Sequence, residues 1–278
     1  MPTDSQSYLS IVAIYRDEAV YLREWLEFHR IVGVERFFLY DNFSLDEHRE
    51  ILAPYIDEGS VVLHDWPVFP GQIPAYDDAL RRHGHESRWI AFIDLDEFLF
   101  SPTLEPLPEI LRDYEAHPGV LANWAMFGSS GHLTPPPGLV SESYLWRAKS
   151  EDGPQQSKSI VDPSRVKHCG GAHFFFYTEE AGTAVDELHR PVPYGRTPEP
   201  ASDRLRVNHY YTKSIEEGKR RLLKRAATTG NLRTAAHNRL EIVDANMNAV
   251  LDETITAYLP ELRSRLGLAV DAQPESSN

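Results

Sequence analysis

The sequence predicts an α/β fold, with a mostly parallel central sheet flanked by helices. Three observations predict it. Short apolar runs alternate with segments of helical periodicity through the first hundred residues. One run, Trp89 to Ile93, is apolar without a break and too short for a helix, as a strand buried on both faces would be. That run ends in Asp94, Asp96 and Glu97, and open α/β sheets bind ligands just beyond the carboxyl ends of their strands.

In order along the chain, Tyr8 to Ile14 reads as the first strand. Asp17 suits a helix cap, and Leu22, Trp25, Leu26 and His29 follow at helical spacing until Gly33. Arg36 to Tyr40 is a second strand, closed by Asp41-Asn42-Phe43-Ser44. Asp46 opens a second helix with Ile51, Leu52 and Tyr55 inward. Val61 to Leu63 is a third strand, and Gln72 to His83 a third helix with Ala75, Ala79 and Leu80 inward. This order predicts parallel strands joined by right-handed crossovers. No G-x-G-x-x-G and no G-x-x-x-x-G-K-[ST] occurs in it, so neither a dinucleotide fingerprint nor a P-loop is present.

The second half is less regular. Leu107 to Tyr114 predicts a short helix, and Leu121 to Phe127 a strand leading into Gly128-Ser129-Ser130-Gly131. Asp186 to Asp203 holds Pro191, Pro193, Pro198 and Pro200 and reads as a long loop, a candidate flap beside a site. Ser214-x-x-Glu217 is a capping box opening a helix to about Arg225. Leu240, Val243, Met247, Val250, Leu251 and Tyr258 predict one helix stopping at Pro260. The resulting division is a catalytic domain over 7–212, a helical extension over 213–268 and a polar, disordered tail over 269–278.

Composition narrows the function. The net charge of −14 argues against general nucleic-acid binding. Positive charge is nevertheless concentrated in residues 203–239, with ten Lys/Arg against three Asp/Glu. The single cysteine, Cys169, excludes an intrachain disulfide and a cysteine-based zinc site, and fits a reducing, cytoplasmic setting. No apolar run is long enough to span a membrane, while peripheral contact with one stays open. Oligomeric state is not encoded in any pattern here.

The chemistry points to Asp94 and Asp96. Strand alternation turns both the same way, with Leu95 toward the core. Two adjacent carboxylates repel, and a hard divalent cation, Mg²⁺ or Mn²⁺, relieves the repulsion. A metal-diphosphate site is one reading; a pair of acidic loop residues is the other.

The chain resembles glycosyltransferase family 92 and its bacterial relatives near family 2. The stretches that carry the resemblance run in order from Ile14-Tyr15-Arg16-Asp17-Glu18, through Trp25-Leu26-Glu27-Phe28-His29 and Tyr40-Asp41-Asn42-Phe43-Ser44, to Trp89 through Phe98. They continue with Met126 through His132, Ser157-Lys158-Ser159-Ile160-Val161, His173-Phe174-Phe175 and His209-Tyr210-Tyr211-Thr212-Lys213-Ser214. Arg16 departs from the pattern, because many relatives carry Lys-Asn before the Glu. The resemblance implies a GT-A-like fold and a nucleotide-sugar donor, UDP-sugar favoured, with Mn²⁺ or Mg²⁺ bridging its diphosphate. It further implies an inverting transfer to a glycan or other hydroxyl acceptor.

Residue by residue, Asp94 and Asp96 are the metal candidates, and the resemblance adds His209 as a ligand; a hydrogen-bonded core histidine is the alternative, and His173 the rival. Lys213, near a helix N-terminus, suits a phosphate. Asp41 follows the second strand, where it can meet base or ribose, or simply form an Asx turn. Glu18 meets the nucleotide from the first loop or only favours a helix N-terminus. Gln72 joins the donor-binding group with Asp94. For the general base, Asp186 lies 92 residues beyond Asp94, a spacing similar to that in many GT-A enzymes, and Glu142 is the second candidate. Two other functions share these features: a metal-dependent phosphohydrolase or phosphotransferase, and a non-catalytic nucleotide-binding module. The first wants the aspartate pair after the first strand, whereas here it follows the fourth.

Overall fold

The computed structural model describes residues 6–149, 156–197, 199–223, 229 and 240–269. The predicted tail beyond 269 and the end of the helix predicted to reach Arg225 lie outside them.

The first half alternates as expected: β1 (Ser7–Tyr15), α1 (Ala19–Ile31), β2 (Arg36–Asp41), α2 (His48–Asp57), β3 (Val61–Asp65), α3 (Gln72–His83) and β4 (Ser87–Phe92). Strands β3, β2, β1 and β4 lie side by side in that order and all run parallel. Helices cover both faces, with Trp25, Leu26 and Phe28 of α1 on one and Ala75, Tyr76 and Ala79 of α3 on the other, so the side chains of β1, β2 and β4 are almost wholly buried and those of the edge strand β3 only partly.

Beyond β4 the sheet turns mixed. The remaining elements of the first 150 residues are β5 (Glu97–Phe100), α4 (Leu107–Arg112), β6 (Gly119–Phe127), α5 (Val140–Ser143) and β7 (Trp146–Arg147). They are followed by β8 (Ser157–Val161), β9 (Val166–Gly171), β10 (Phe174–Tyr177), β11 (Val185–Asp186) and β12 (Arg206–Tyr210). Strand β8 inserts antiparallel between β4 and β6. Strand β12 runs parallel to β6 and antiparallel to β5, and its register sets His209 against Glu97 and Met126. The histidine is thereby delivered to the end of the strand that carries the carboxylates.

Helix α6 (Ile215–Leu223) opens on the predicted capping box: Ser214 N–H donates to Glu217 Oε2 at 3.0 Å, and Glu217 N–H to Ser214 Oγ at 3.3 Å. The single helix expected from Leu240 to Tyr258 is instead broken. A helix over Leu240–Asn246 gives way to β13 (Val250–Leu251), which pairs with β7 at the edge of the main sheet. A final helix, Leu259–Leu266, starts at Pro260 instead of stopping there, because proline is well placed in a first turn, where no N–H is needed. That helix packs on α1 and closes the core through Leu262 and Leu266.

The two expected aspartate caps differ in an instructive way. Asp17 adopts φ 54° and accepts from Leu45 N–H at 2.9 Å instead of capping α1. Asp46 does not cap its own helix but accepts from Ala19 N–H, the first residue of α1, at 2.8 Å. The β1–α1 and β2–α2 loops are thus cross-tied at the carboxyl end of the sheet. No helix among the described residues is long and apolar enough to cross a membrane.

Candidate metal and diphosphate site

The segment after β4 turns back on itself. Glu97 N–H donates to the Asp94 carbonyl at 3.1 Å, and Glu97 Oε2 accepts Asp94 N–H at 2.9 Å. The Trp25 indole N–H of α1 donates to the Glu97 carbonyl at 2.8 Å and pins the turn to the core. Three carboxylates therefore sit at one strand end, where they need positive charge.

Their partners divide the site in two. Asp94 accepts from Gln72 Nε2 at 2.9 Å and from Lys158 Nζ at 2.7 Å; Lys158, buried on β8, also lies 3.3 Å from Glu97 Oε2. Burial works against the ammonium, but Asp94 and Glu97 hold its pKa well above the usual lysine range. Asp96 faces the other way. Its Oδ2 is 2.9 Å from Arg221 Nη1 and 3.4 Å from His209 Nε2. Burial acts to raise its pKa, yet the Arg221 guanidinium, with the His209 ring beside it, keeps Asp96 well below the carboxylate range.

Glu97 is left short of charge. It is fully buried, and burial together with Asp94 and Asp96 pushes its pKa up to about 8 despite Lys158. Its Oε1 has no hydrogen-bond partner among the described residues, and neither nitrogen of His209 has one. Burial keeps His209 neutral, so a ring nitrogen has a free lone pair to offer. Ligand atoms of Asp96, Glu97 and His209 lie within 4.8 Å of one another. A buried carboxylate oxygen of Glu97 and an imidazole nitrogen of His209, both without partners among the described residues, beside the half-buried Asp96 carboxylate, suit a borderline-hard divalent cation such as Mn²⁺. The residues present fit that ion. Trp124 lies against the ring of His209, with centroids 4.2 Å apart and the planes tilted by 57°.

A cleft of about 300 Å³ opens beside Asp96, between the start of α1 and α6. Asp17, Glu18, Tyr211, Lys213, Arg220 and Arg221 are among its lining. Lys213 pairs with Glu18 at 3.2 Å and lies 3.3 Å over the Tyr21 ring, so these two candidates meet in the cleft.

Other candidates are placed elsewhere. Asp41 accepts from Ser44 N–H at 2.9 Å in an Asx turn and lies 3.5 Å from His48 Nε2. His173 is held by the Ser157 carbonyl at 3.0 Å and stands edge-on to Trp124. Asp186 is buried, bonded to Arg190 Nε at 2.7 Å and to the N–H groups of Leu188 and Arg190. Strand pairing sets Asp186 beside Leu121 and His209 beside Met126, so the strand rise separates them by about 16 Å. Glu142 pairs with Arg263 and accepts from Leu139 N–H. The structure brings neither Asp186 nor Glu142 to the carboxylate cluster. The Gly128–Gly131 turn is taken up internally: Ser129 N–H and Oγ bond Asp244, and the Asn248 side chain fills the space beside Gly128.

Lys158 and Arg221 were not singled out from sequence. Arg221 had a signal in the basic stretch after residue 203. Lys158 had one only in the family-like stretch Ser157 to Val161, since a lysine within an otherwise ordinary strand does not announce that it points inward.

Comparison with known proteins agrees with this architecture. The model of glycosyltransferase family 92 matches residues 8–225. The chain belongs to glycosyltransferase family 92. A family 92 protein of Oryza sativa subsp. japonica is 33% identical over 162 residues, covering 57% of this chain and 27% of its own. The chain thus spans about a quarter of the length of that relative. A galactan beta-1,4-galactosyltransferase of Arabidopsis thaliana is 31% identical over 106 residues, 34% of this chain and 21% of that protein. Among solved structures, S. aureus TarS in complex with UDP aligns over 92% of this chain and 72% of its own, with 14% identity and a TM-score of 0.43.

Proposed function

We propose that this protein is a metal-dependent glycosyltransferase that moves a hexose from a UDP-sugar to an acceptor hydroxyl with inversion. The observation that carries the reading is the convergence of Asp96, which lines the cleft, with the buried Glu97 and His209, whose Oε1 and two ring nitrogens have no hydrogen-bond partner among the described residues. Those three residues would hold Mn²⁺ or Mg²⁺. When bound, the ion supplies charge stabilisation for the leaving nucleoside diphosphate.

This chain's own residues do the remainder. Lys213 and Arg221 line the cleft as cations suited to diphosphate oxygens. Lys158 and Gln72 hold Asp94 in place without touching the cleft lining. Trp124 covers His209 and excludes water from one side of the cluster. Family membership supports sugar transfer, and the galactosyltransferase relative supports a hexose.

The test is calorimetry of UDP with Mn²⁺ and with chelator, followed by a panel of UDP-sugars assayed for UDP release with glycan acceptors. Metal-dependent UDP binding and release from one sugar donor are expected. Equal UDP affinity with chelator present would remove the metal from the reading, and no release from any donor would remove the transfer.

A further inference from the structure

Arg221 and His209 contact the same atom. Asp96 Oδ2 lies 2.9 Å from Arg221 Nη1 and 3.4 Å from His209 Nε2. A cation held by Asp96 Oδ2 and His209 would therefore compete with the guanidinium for that oxygen. Arg221 is also tied elsewhere: it donates to the Tyr211 carbonyl at 2.6 Å and its guanidinium lies 4.4 Å from the Tyr211 ring centre. These contacts do not involve Asp96, so Arg221 can release the carboxylate without losing its seat on α6. It lines the cleft, and its side chain is 28% exposed, leaving donors toward that space.

Charge points the same way. Within the cluster, Asp94 and Glu97 share Lys158, while the cation in contact with Asp96 among the described residues is Arg221. With Arg221 in place a divalent cation meets a site already neutralised at Asp96. An arriving diphosphate offers the guanidinium a planar, bidentate alternative of equal charge.

We propose that Arg221 is a displaceable counter-ion: it stands in for the metal at Asp96 in the empty site and moves to the diphosphate when metal and nucleotide enter together. The inference rests on the metal-diphosphate reading above. It makes metal and nucleotide binding mutually supporting, because the cation that one ligand displaces is the cation that the other receives.

The test uses the full chain and two probes, Mn²⁺ alone by electron paramagnetic resonance and UDP at saturating Mn²⁺ by calorimetry. Arg221→Gln is expected to bind Mn²⁺ alone at least tenfold more tightly than wild type, and UDP with Mn²⁺ at least tenfold more weakly. Opposite signs on the two probes are not produced by loss of fold. Arg221→Lys, which keeps the charge and loses the fork, is expected to stay near wild type for Mn²⁺ and to weaken UDP. A folded Arg221→Gln with unchanged or weaker Mn²⁺ affinity, where wild type binds UDP with Mn²⁺ normally, overturns the displacement and leaves the proposed function standing. If wild type binds neither probe, the proposed function falls and this inference falls with it. Should Arg221→Gln not fold, the Arg221→Lys pair of affinities decides: unchanged UDP affinity overturns the proposal.

Discussion

His209 Nδ1 stands 4.0 Å from Glu97 Oε1, and neither atom has a hydrogen-bond partner among the described residues. A buried polar atom left unpaired costs about 1–3 kcal/mol, so two facing each other at a strand end are an arrangement that a third species relieves. His209→Phe keeps a ring against Trp124 and Tyr211 while removing both nitrogens. The variant is expected to lose Mn²⁺ affinity by tenfold or more with a melting temperature at or above that of wild type. A lower melting temperature with unchanged Mn²⁺ affinity would return His209 to the role of a core histidine.

Glu97 predicts a proton. Its pKa of about 8 leaves the metal-free carboxyl mostly protonated at pH 7, and a metal ligand must be ionised. Mn²⁺ binding at pH 7 is therefore expected to release close to one proton, and affinity to rise with pH up to about 8. Calorimetry in two buffers of different ionisation enthalpy measures the release; equal observed enthalpies would count against it. Glu97→Gln is expected to abolish both release and most of the affinity.

How much of this was legible in the chain depends on whether the cause was local. Helix α3 runs from Gln72 to His83 as periodicity predicts, because its inward positions are set within twelve residues. The cap of α1 was not legible, since the carboxylate that serves Ala19 comes from Asp46 on another loop. Asp94 and Asp96 were found because a strand end is visible in the apolar run before them, but their division between Lys158 and Arg221 depends on β8 and α6. Asp186 was proposed from its distance along the chain; β-pairing instead sets it at the Leu121 level of β6, bonded to Arg190. Spacing in sequence carries no information about which end of a strand a residue occupies.

Lys158 predicts a coupling. It is buried, pairs with Asp94 and Glu97, and is the nearest positive charge to both. Removing one partner of a buried ion pair leaves the others uncompensated, at a loss of about 3–5 kcal/mol. Lys158→Met is expected to destabilise by that order in urea unfolding, and Lys158→Met with Asp94→Asn to recover a substantial part. Strict additivity of the two substitutions would show that the ammonium does not serve the carboxylates.

The loop turn at Asp186 predicts stability without catalysis. Its carboxylate takes two backbone N–H groups and the Arg190 side chain. Asp186→Asn is expected to lower stability by about 1–3 kcal/mol, the range for a buried hydrogen-bonded group losing partners, while kcat stays within twofold. A large fall in kcat with unchanged melting temperature would restore the general-base assignment.

His29 predicts an acid limb of the stability curve. It lies in α1, fully buried between Trp25, Phe28 and Phe98. Its Nε2 accepts from Leu99 N–H at 3.1 Å, so Nδ1 carries the proton and donates to the Trp25 carbonyl at 2.8 Å. Both sites are used by the neutral ring, and burial, only slightly opposed by the Trp25 bond, lowers the pKa from 6.5 to about 3. The unfolded chain therefore takes up a proton below about pH 6.5 that the folded one refuses until about pH 3. The stabilisation is full above 6.5 and is lost progressively as pH falls toward 3, at up to ~1.4 kcal/mol per pH unit and roughly 5 kcal/mol in all. Other groups titrate over the same range, so the comparison is with His29→Gln, which keeps a polar side chain and no longer titrates. Urea unfolding at steps from pH 7.5 to 4.5 is expected to show wild type more stable than the variant at neutral pH, with the gap closing below pH 6.5. Stability curves that stay parallel down to pH 4.5 would mean that His29 carries its proton in the folded protein, against its burial and its two hydrogen bonds.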